Sequence, residues 1–317
     1  MIKEYPKVWI LILTWNNYED TFKCLESLKN IDYPNFDVLV IDNNSTDGSI
    51  QLLQSEYPHF NYIKNQENLK FSGGNNIGIK TILDMPEKSD YILLLNNDTI
   101  IEDKRILYPL VKLLEENPRI GIAGVKAIYP DGSNQTDDSF LRFPSIYTFI
   151  TRNSFIGGVY NKLKRLINKK QCRENFIKVD WVPVAISLIR AKVFEKCIFD
   201  EKNFPMGFSD VDFCKQISTN GYDIYYCPNL TIVHRNGFPN VSIKLNRNFL
   251  SDKIAEIRYI RKYFSKIYTF FYKVLNFFNS LLYVFFLLPI MLHPKFYPLA
   301  RLKIKNHFVL LIKIWTM

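Results

Sequence analysis

"YILLLNNDTII", residues 91–101, is an apolar run that ends on two asparagines and an aspartate. Ile92, Leu93, Leu94 and Leu95 follow one another without polar alternation, the pattern of a strand covered on both faces. Such a strand belongs in a sheet with helices above and below it. The polar residues that stop it, Asn96, Asn97 and Asp98, read either as a turn or as a cation site.

Outward from that strand, apolar runs and helical periodicities alternate. A strand is predicted over 8–14 and a helix over 18–30, with Phe22, Leu25 and Leu28 on one face. A second strand follows over 37–41, then a helix over 50–57 for which Ser45 or Thr46 is the expected cap. A short strand is predicted over 60–64, and "SGGNNIGIKTILDM" reads as a Gly-rich turn entering a helix. After the strand at 91–95 comes a helix over 104–117 with Leu107, Leu110 and Leu114 facing the core. This β-α-β-α order predicts an α/β fold, a Rossmann-like, mostly parallel sheet flanked by helices. Residues 130–178 are polar and then basic, and read as an insertion or mobile loop. Beyond them a strand is predicted over 179–189, a short helix over 191–197 and a helix from "FSDVDF" to Gly221. "YDIYYCP" and "LTIVH" read as two late strands.

The 317 residues are 47% hydrophobic, enough for a sizeable core in one large or two modest domains. The net charge of +10 is uneven, because the segment from Ile243 to Met317 holds 13 Lys or Arg against 2 acids. The first 242 residues are therefore near neutral, which argues against nucleic acid as a partner of the body of the protein. The five cysteines lack C-x-x-C spacing, which argues against a zinc site or disulfide framework and fits a reducing compartment. The apolar run near the N-terminus suits a first strand better than a signal peptide.

Ligands of open α/β sheets bind beyond the carboxyl ends of the strands. Polar clusters fall there four times: Thr14-Trp15-Asn16-Asn17, Asp42-Asn43-Asn44, Asn96-Asn97-Asp98, and His234 at the end of the last strand. One such cluster is an ordinary turn; four on one rim point to a site. Neither G-x-G-x-x-G nor G-x-x-x-x-G-K-[ST] follows the first strand. A phosphate-bearing ligand would then have its charge met by a divalent cation on Asp98, since Mg²⁺ takes only one or two protein carboxylates beside water and substrate phosphates. Asp42 is suited to accept a hydrogen bond from a base N–H.

Seven ordered segments carry a resemblance: "ILILTWNNYEDTFKCLESL", "VLVIDNNSTDGS", "NLKFSGGNNIGI", "YILLLNNDTII", "VDWVPVAISLIRAKVFEK", "FDEKNFPMGFSDVDFCKQISTNGYDIYYCP" and "IVHRNG". Over residues 7–238 they resemble the motifs of family 2 glycosyltransferases, in particular the rhamnosyltransferase-like branch of bacterial surface-polysaccharide assembly. The resemblance implies a GT-A fold, a nucleotide-diphospho-sugar donor, a divalent metal (Mg²⁺ or Mn²⁺) and inversion at the anomeric carbon. It implies that Asp42 reads the nucleobase, with Thr14 and Asn16 in the adjoining donor loop. Asn68 and the stretch Ser72-Gly73-Gly74-Asn75-Asn76 match a donor-side segment. Asn96-Asn97-Asp98 stands in place of D-x-D, Asp210 matches the general base, His234 matches a metal-shell histidine, and Trp181 matches an aromatic near sugar and acceptor. Two residues depart from the pattern. Asn96 replaces the first acid of D-x-D, leaving Asp98 as the sole carboxylate there, and Ser209 replaces the Glu before the base, where it is positioned to cap a helix. Asp212, two residues from Asp210 on a predicted helix, faces elsewhere and is expected to support the acceptor side or the local structure. Two rival readings are a nucleotidyltransferase, which would need a Gly-rich loop after strand 1, and a degenerate sugar-binding scaffold.

The domain organisation expected is a glycosyltransferase domain over 1–242 and a basic helical tail over 243–317. Ile257, Ile260, Phe264, Ile267, Phe271, Val274 and Phe278 form one helical stripe, with Arg258, Arg261, Lys262, Lys266 and Lys273 off it. A basic amphipathic helix of this kind suits an anionic membrane surface; packing on the catalytic domain or a homodimer seam are the alternatives. Residues 274–292 carry no charge over a span-like length. The lysines and Arg301 beyond them favour an interfacial or re-entrant anchor at the cytoplasmic face of a bacterial plasma membrane, close to a lipid-linked or glycan acceptor.

Overall fold

A computed structural model describes residues 5–135, 141–153, 175–184, 186–235, 249–289 and 297–317. The chain divides into two compact units, Met1–Phe143 with Cys172–Val241, and Pro144–Gln171 with Ser242–Met317.

In the first unit, β1 (Val8–Thr14) is apolar at successive positions because both of its faces are covered. Val8, Ile10 and Ile12 join one core layer, while Trp9 and Leu11 join the other. β4 (Tyr91–Asn96) divides in the same way, with Tyr91, Leu93 and Leu95 on one side and Ile92 and Leu94 on the other. The first layer is closed by α1 (Tyr18–Leu28), α2 (Ser49–Glu56) and α4 (Leu107–Glu116). The second is closed by α3 (Lys70–Asp84) and α6 (Ser209–Thr219), with the 3-10 turn Ala191–Glu195.

The remaining strands are β2 (Phe36–Asp42), β3 (Asn61–Lys64), β5 (Thr99–Ile100), β6 (Ile120–Ile128), β7 (Ile177–Val179), β8 (Ile186–Arg190) and β9 (Asp223–His234). Their order is β3-β2-β1-β4-β8-β6-β9-β5, with β7 on β9. The expected sheet flanked by helices is present. Its parallel run is β3-β2-β1-β4, and β6 pairs parallel with β9. β8 runs antiparallel to both β4 and β6, and β5 and β7 run antiparallel to β9, so the sheet is mixed.

Several local expectations are corrected. The "SGGNN" segment is not a turn but the first part of α3. Its glycines serve close packing: a Cβ on Gly74 would lie 2.5 Å from Leu13 Cδ1, and one on Gly78 would lie 2.4 Å from Leu11 Cδ1. Gly78→Ala is therefore expected to destabilise the protein by about 1–3 kcal/mol through overpacking, outweighing the gain of about 1 kcal/mol in helix propensity. A thermal melt checks this, and a raised Tm would refute the close approach. α2 is preceded by Gly48 at φ 78° and is not capped by Ser45 or Thr46, which tie loops together instead. Ser209 is the first residue of α6 and not its cap; that place is held by Phe208 at φ 66°. The strand expected over 179–189 is two strands, interrupted around Pro183, whose carbonyl accepts from Ser187 Oγ at 2.7 Å. The two late strands are one, β9, whose pairing with β6 jumps from Cys227 to Thr231 and so loops out Pro228. β6 was not expected at all. Its glycines weaken the strand signal, yet a Cβ at Gly124 would meet Val182 Cβ at 2.6 Å. Of the segment expected as an insertion, 146–153 forms α5 (Ile146–Asn153); 136–140 and 154–174 lie outside the described residues.

The second unit contains α5, α7 (Phe249–Tyr263), α8 (Lys266–Leu287) and α9 (Tyr297–Lys313). The single stripe expected from Ile257 to Phe278 is broken by Ser265, which caps α8 by accepting from Tyr268 N. Its first part faces inward, with Ile257 and Ile260 buried. Its second part faces outward, with Ile267, Phe271 and Phe278 each about 60% exposed or more. Lys273, expected on the surface, is buried. α8 is long and apolar enough to cross a membrane, with mean hydropathy 1.4.

Candidate active site

Strand register brings the carboxyl ends of the central strands together. Thr14 of β1 lies opposite Asp42 of β2, and Leu13 lies opposite Asn96 of β4. The turn after β4 carries the chain to β5, which pairs with β9 so that Thr99 faces His234.

That turn is held by its own polar groups. Thr99 Oγ1 donates to Asn96 O at 2.6 Å, and Arg235 N donates to Asp98 O at 2.9 Å. Asn97 Nδ2 donates to Thr21 Oγ1 at 2.9 Å and lies 3.3 Å from Thr14 Oγ1, tying β4 to β1 and α1. Asn96 and Asp98 are left facing His234. Asp98 Oδ1 and Asn96 Nδ2 lie 3.2 and 3.3 Å from His234 Nε2.

Gln135 holds the Nδ1 side of that ring. Its Nε2 donates to His234 O, so its Oε1 is the acceptor that stands 2.9 Å from Nδ1. With Nδ1–H donated to Gln135, a neutral His234 turns its Nε2 lone pair toward Asp98. Two acceptor atoms 3.2 Å apart suit a cation held between them, since ligands at right angles about 2.1 Å from an ion are about 3 Å apart. Among the described residues no three His, Cys, Asp or Glu side chains converge. The donor set is one carboxylate, one imidazole and a neighbouring amide, which fits an ion shared with ligand phosphates. Gln135 carries no motif that marks it in the sequence.

Asp210 sits in the first turn of α6, half-buried. Burial pushes its carboxyl up to about 6, while the Val184 N–H and the nearby His234 pull it back. Asp42 is fully buried; its Oδ1 accepts from Ser45 N at 2.9 Å. Its Oδ2 carries no hydrogen bond, and Lys64 Nζ stands 3.9 Å away. An acceptor that is dry and unfilled is suited to a ligand N–H. Asn16, at φ 48°, ties the β1 and β2 loops: its N–H donates to Ser45 Oγ and its Oδ1 accepts from Thr46 N.

The other expected residues are more engaged with the protein. Asn68 Oδ1 accepts from Asn43 Nδ2 and Lys70 N, both at 2.9 Å. Asn43, buried and also bonded to Asn65 and Leu69, is the hub that sequence reading did not single out. Asn75 Nδ2 donates to Phe71 O, and Gly73 packs against Leu69 and Glu201. Trp181 is half-buried, and its Nε1 donates to Arg142 O at 3.1 Å. Asp212 is buried and accepts from Gln216 Nε2 at 2.8 Å, so it serves the local structure.

A family model, Glycosyl transferase family 2, matches residues 9–195, more than half of the chain. The chain belongs to glycosyl transferase family 2. The match covers the β1, β2 and β4 ends but stops before Asp210 and His234, which stand on the geometry above. Among curated proteins the chain is 22% identical over 156 residues to a poly-beta-1,6-N-acetyl-D-glucosamine synthase of Staphylococcus epidermidis, covering 48% of this chain and 36% of that one. It is 23% identical over 199 residues to glycosyltransferase GlyA of Streptococcus pneumoniae, covering 61% of this chain and 26% of that one. The chain thus spans about a third or less of the length of these relatives. Among solved structures it resembles the mannosyltransferase PcManGT of Pyrobaculum calidifontis, determined with GDP-Man and Mn²⁺. There the TM-score is 0.54 at 12% identity, over 99% of this chain and 88% of that one. At that identity the likeness establishes the shared fold.

Proposed function

We propose that this member of family 2 is an inverting, metal-dependent glycosyltransferase. It moves a sugar from a nucleotide-diphospho-sugar to a hydroxyl of a lipid-linked or growing polysaccharide. The observation that carries the reading is the meeting of Asp98 and His234, held by Gln135, within electrostatic reach of Asp210. Asp210 takes the proton from the acceptor hydroxyl as its oxygen attacks the anomeric carbon. Asp98 and His234, beside Asn96, would hold a divalent ion (Mg²⁺ or Mn²⁺), which would supply Lewis-acid stabilisation to the diphosphate leaving group. Asp42 Oδ2 accepts from the base N–H, which suits uracil or thymine, and the loops tied by Asn16 enclose the nucleoside. The resemblance of the seven ordered segments to the rhamnosyltransferase-like branch makes dTDP-rhamnose one candidate donor. The exposed apolar face of α8 and the basic tail support association with the cytoplasmic face of a bacterial membrane.

Thermal melts with UDP-, dTDP- and GDP-sugars test the donor half of this reading. At 100-fold excess over Kd a ligand adds about 2.7 kcal/mol, or roughly 5–10 °C for a domain of this size. The shift is expected to require Mn²⁺ or Mg²⁺. Absence of any shift with every sugar nucleotide, metal present, would sink the reading.

A further inference from the structure

α8 is inverted relative to a helix of a water-soluble protein. Thr269, Tyr272, Asn276, Asn279 and Ser280 lie on its buried face, while Ile267, Phe271, Phe278 and Phe285 lie on its exposed face at 59–68% exposure. Polar groups inside and aromatics outside is the arrangement of a helix that meets lipid.

Within the same unit, α7, α8 and α9 line an open cavity of about 240 Å³. That is smaller than the roughly 300–1,000 Å³ of pockets that hold a drug-sized ligand, and suits a compact headgroup. Lys253, Lys303, Asn279, Asn306 and His307 point chemistry into it, and no Asp or Glu is part of the lining. Lys253 is already paired with Glu256 at 2.7 Å. Lys303 is exposed and has no acidic partner among the described residues. The amides of Asn279 and Asn306 carry no hydrogen bond among the described residues, although Asn279 is only 9% exposed. Their polar atoms open onto the cavity, where a ligand oxygen can meet the amide N–H groups. His307 is stacked on Tyr283 at 4.6 Å, and its Nδ1 is 3.1 Å from Ser280 Oγ. Burial and the two nearby lysines push its imidazole down to about 4, so at neutral pH the ring is uncharged and the cavity keeps the positive potential of Lys303.

We propose that this cavity holds the phosphate headgroup of a membrane lipid. The inference rests on the reading of this unit as lipid-facing. Lys303 supplies the charge, and Asn279 and Asn306 supply fixed donors. A phosphomonoester or diphosphate lipid fits this chemistry better than a zwitterionic one, whose choline would face Lys303 without a carboxylate to pair with.

The test is vesicle flotation of the full chain, with phosphatidylcholine alone or mixed with phosphatidic acid. Lys303→Gln is compared with Lys305→Gln, an exposed charge outside the cavity lining. Diffuse attraction is worth about 1 kcal/mol per Lys, roughly fivefold, and is lost in both variants. A charge-assisted hydrogen bond is worth about 1.5–3 kcal/mol, so Lys303→Gln is expected to lose roughly 10- to 150-fold more affinity for phosphatidic acid vesicles. Asn279→Ala, which removes no charge, is expected to weaken the same binding and to leave binding to phosphatidylcholine unchanged. Equal losses for the two lysine variants, with Asn279→Ala silent, would overturn the site. So would a thermal shift with inorganic phosphate alone that phosphatidic acid vesicles do not reproduce, which would mark a free-anion site. If the unaltered chain floats with neither vesicle, the membrane reading falls with this one. The donor melts above stand or fall separately, because their readout contains no lipid.

Discussion

Asp210→Asn is expected to lower kcat by about 10²- to 10⁴-fold, the usual worth of a positioned general base, and to leave donor binding intact. The amide keeps the shape and the Val184 N–H but cannot accept the acceptor's proton. The wild-type carboxyl titrates at about 6. Transfer by the unaltered protein should therefore fall as pH drops through about 6, because the base must be ionised, and the variant should lack that limb. Stability moves the other way. The folded-state pKa lies above the ordinary 3.8, so between about 4 and 6 the native state binds more protons than the unfolded chain. The stability that protonated Asp210 contributes is present at low pH and is lost as pH rises through that window. Asp210→Asn removes a burdened charge, and the variant is expected to melt no lower than wild type at neutral pH. An inactive variant that is at least as stable distinguishes a catalytic carboxylate from a structural one. Unchanged transfer activity would remove Asp210 from the mechanism.

Legibility in the sequence depended on how far apart the cooperating residues lie. The ends of β1, β2 and β4 are readable because each is an unbroken apolar run stopped by polar residues, and parallel register then aligns those stops. β6 is not readable, because two glycines dilute its pattern for reasons that exist only once Tyr222 and Val182 pack on them. The Gly-rich start of α3 misleads for the same reason: its glycines signal a turn, but they serve helix-to-sheet contact with Leu11 and Leu13. Gln135 acts on His234 across 99 residues and leaves no local trace. The tail shows the limit of periodicity. A stripe with perfect helical spacing runs through Ser265, whose hydroxyl caps a new helix and sends the two halves of the stripe to different environments. The departures at Asn96 and Ser209, by contrast, are visible at once, and the first of them leaves Asp98 as the sole carboxylate of its motif.

Asp98→Asn is accordingly expected to abolish metal-dependent transfer. Lewis-acid stabilisation of a leaving diphosphate is worth several kcal/mol, and at about 1.36 kcal/mol per tenfold its loss removes roughly two to three orders of magnitude or more. The substitution is isosteric, and the turn it occupies is held by backbone and neighbouring groups: Thr99 Oγ1 on Asn96 O, and Arg235 N on Asp98 O. The fold and the Asp42 site should survive, so nucleotide binding without metal is expected to remain while its enhancement by Mn²⁺ disappears. Asn96→Asp is the reciprocal change. Asn96 lies 3.3 Å from the same His234 nitrogen that Asp98 approaches at 3.2 Å, so a carboxylate there faces the same ion. With a second negative ligand the protein should bind Mn²⁺ before the donor arrives, whereas the natural chain should need the donor's phosphates to complete the shell. Titrating Mn²⁺ with and without a sugar nucleotide separates the two states. The natural chain is expected to show strong coupling between metal and donor, Asn96→Asp weaker coupling with tighter metal, and Asp98→Asn none. If Asp98→Asn keeps full Mn²⁺-dependent transfer, the residues that stop the β4 strand are a turn and nothing more.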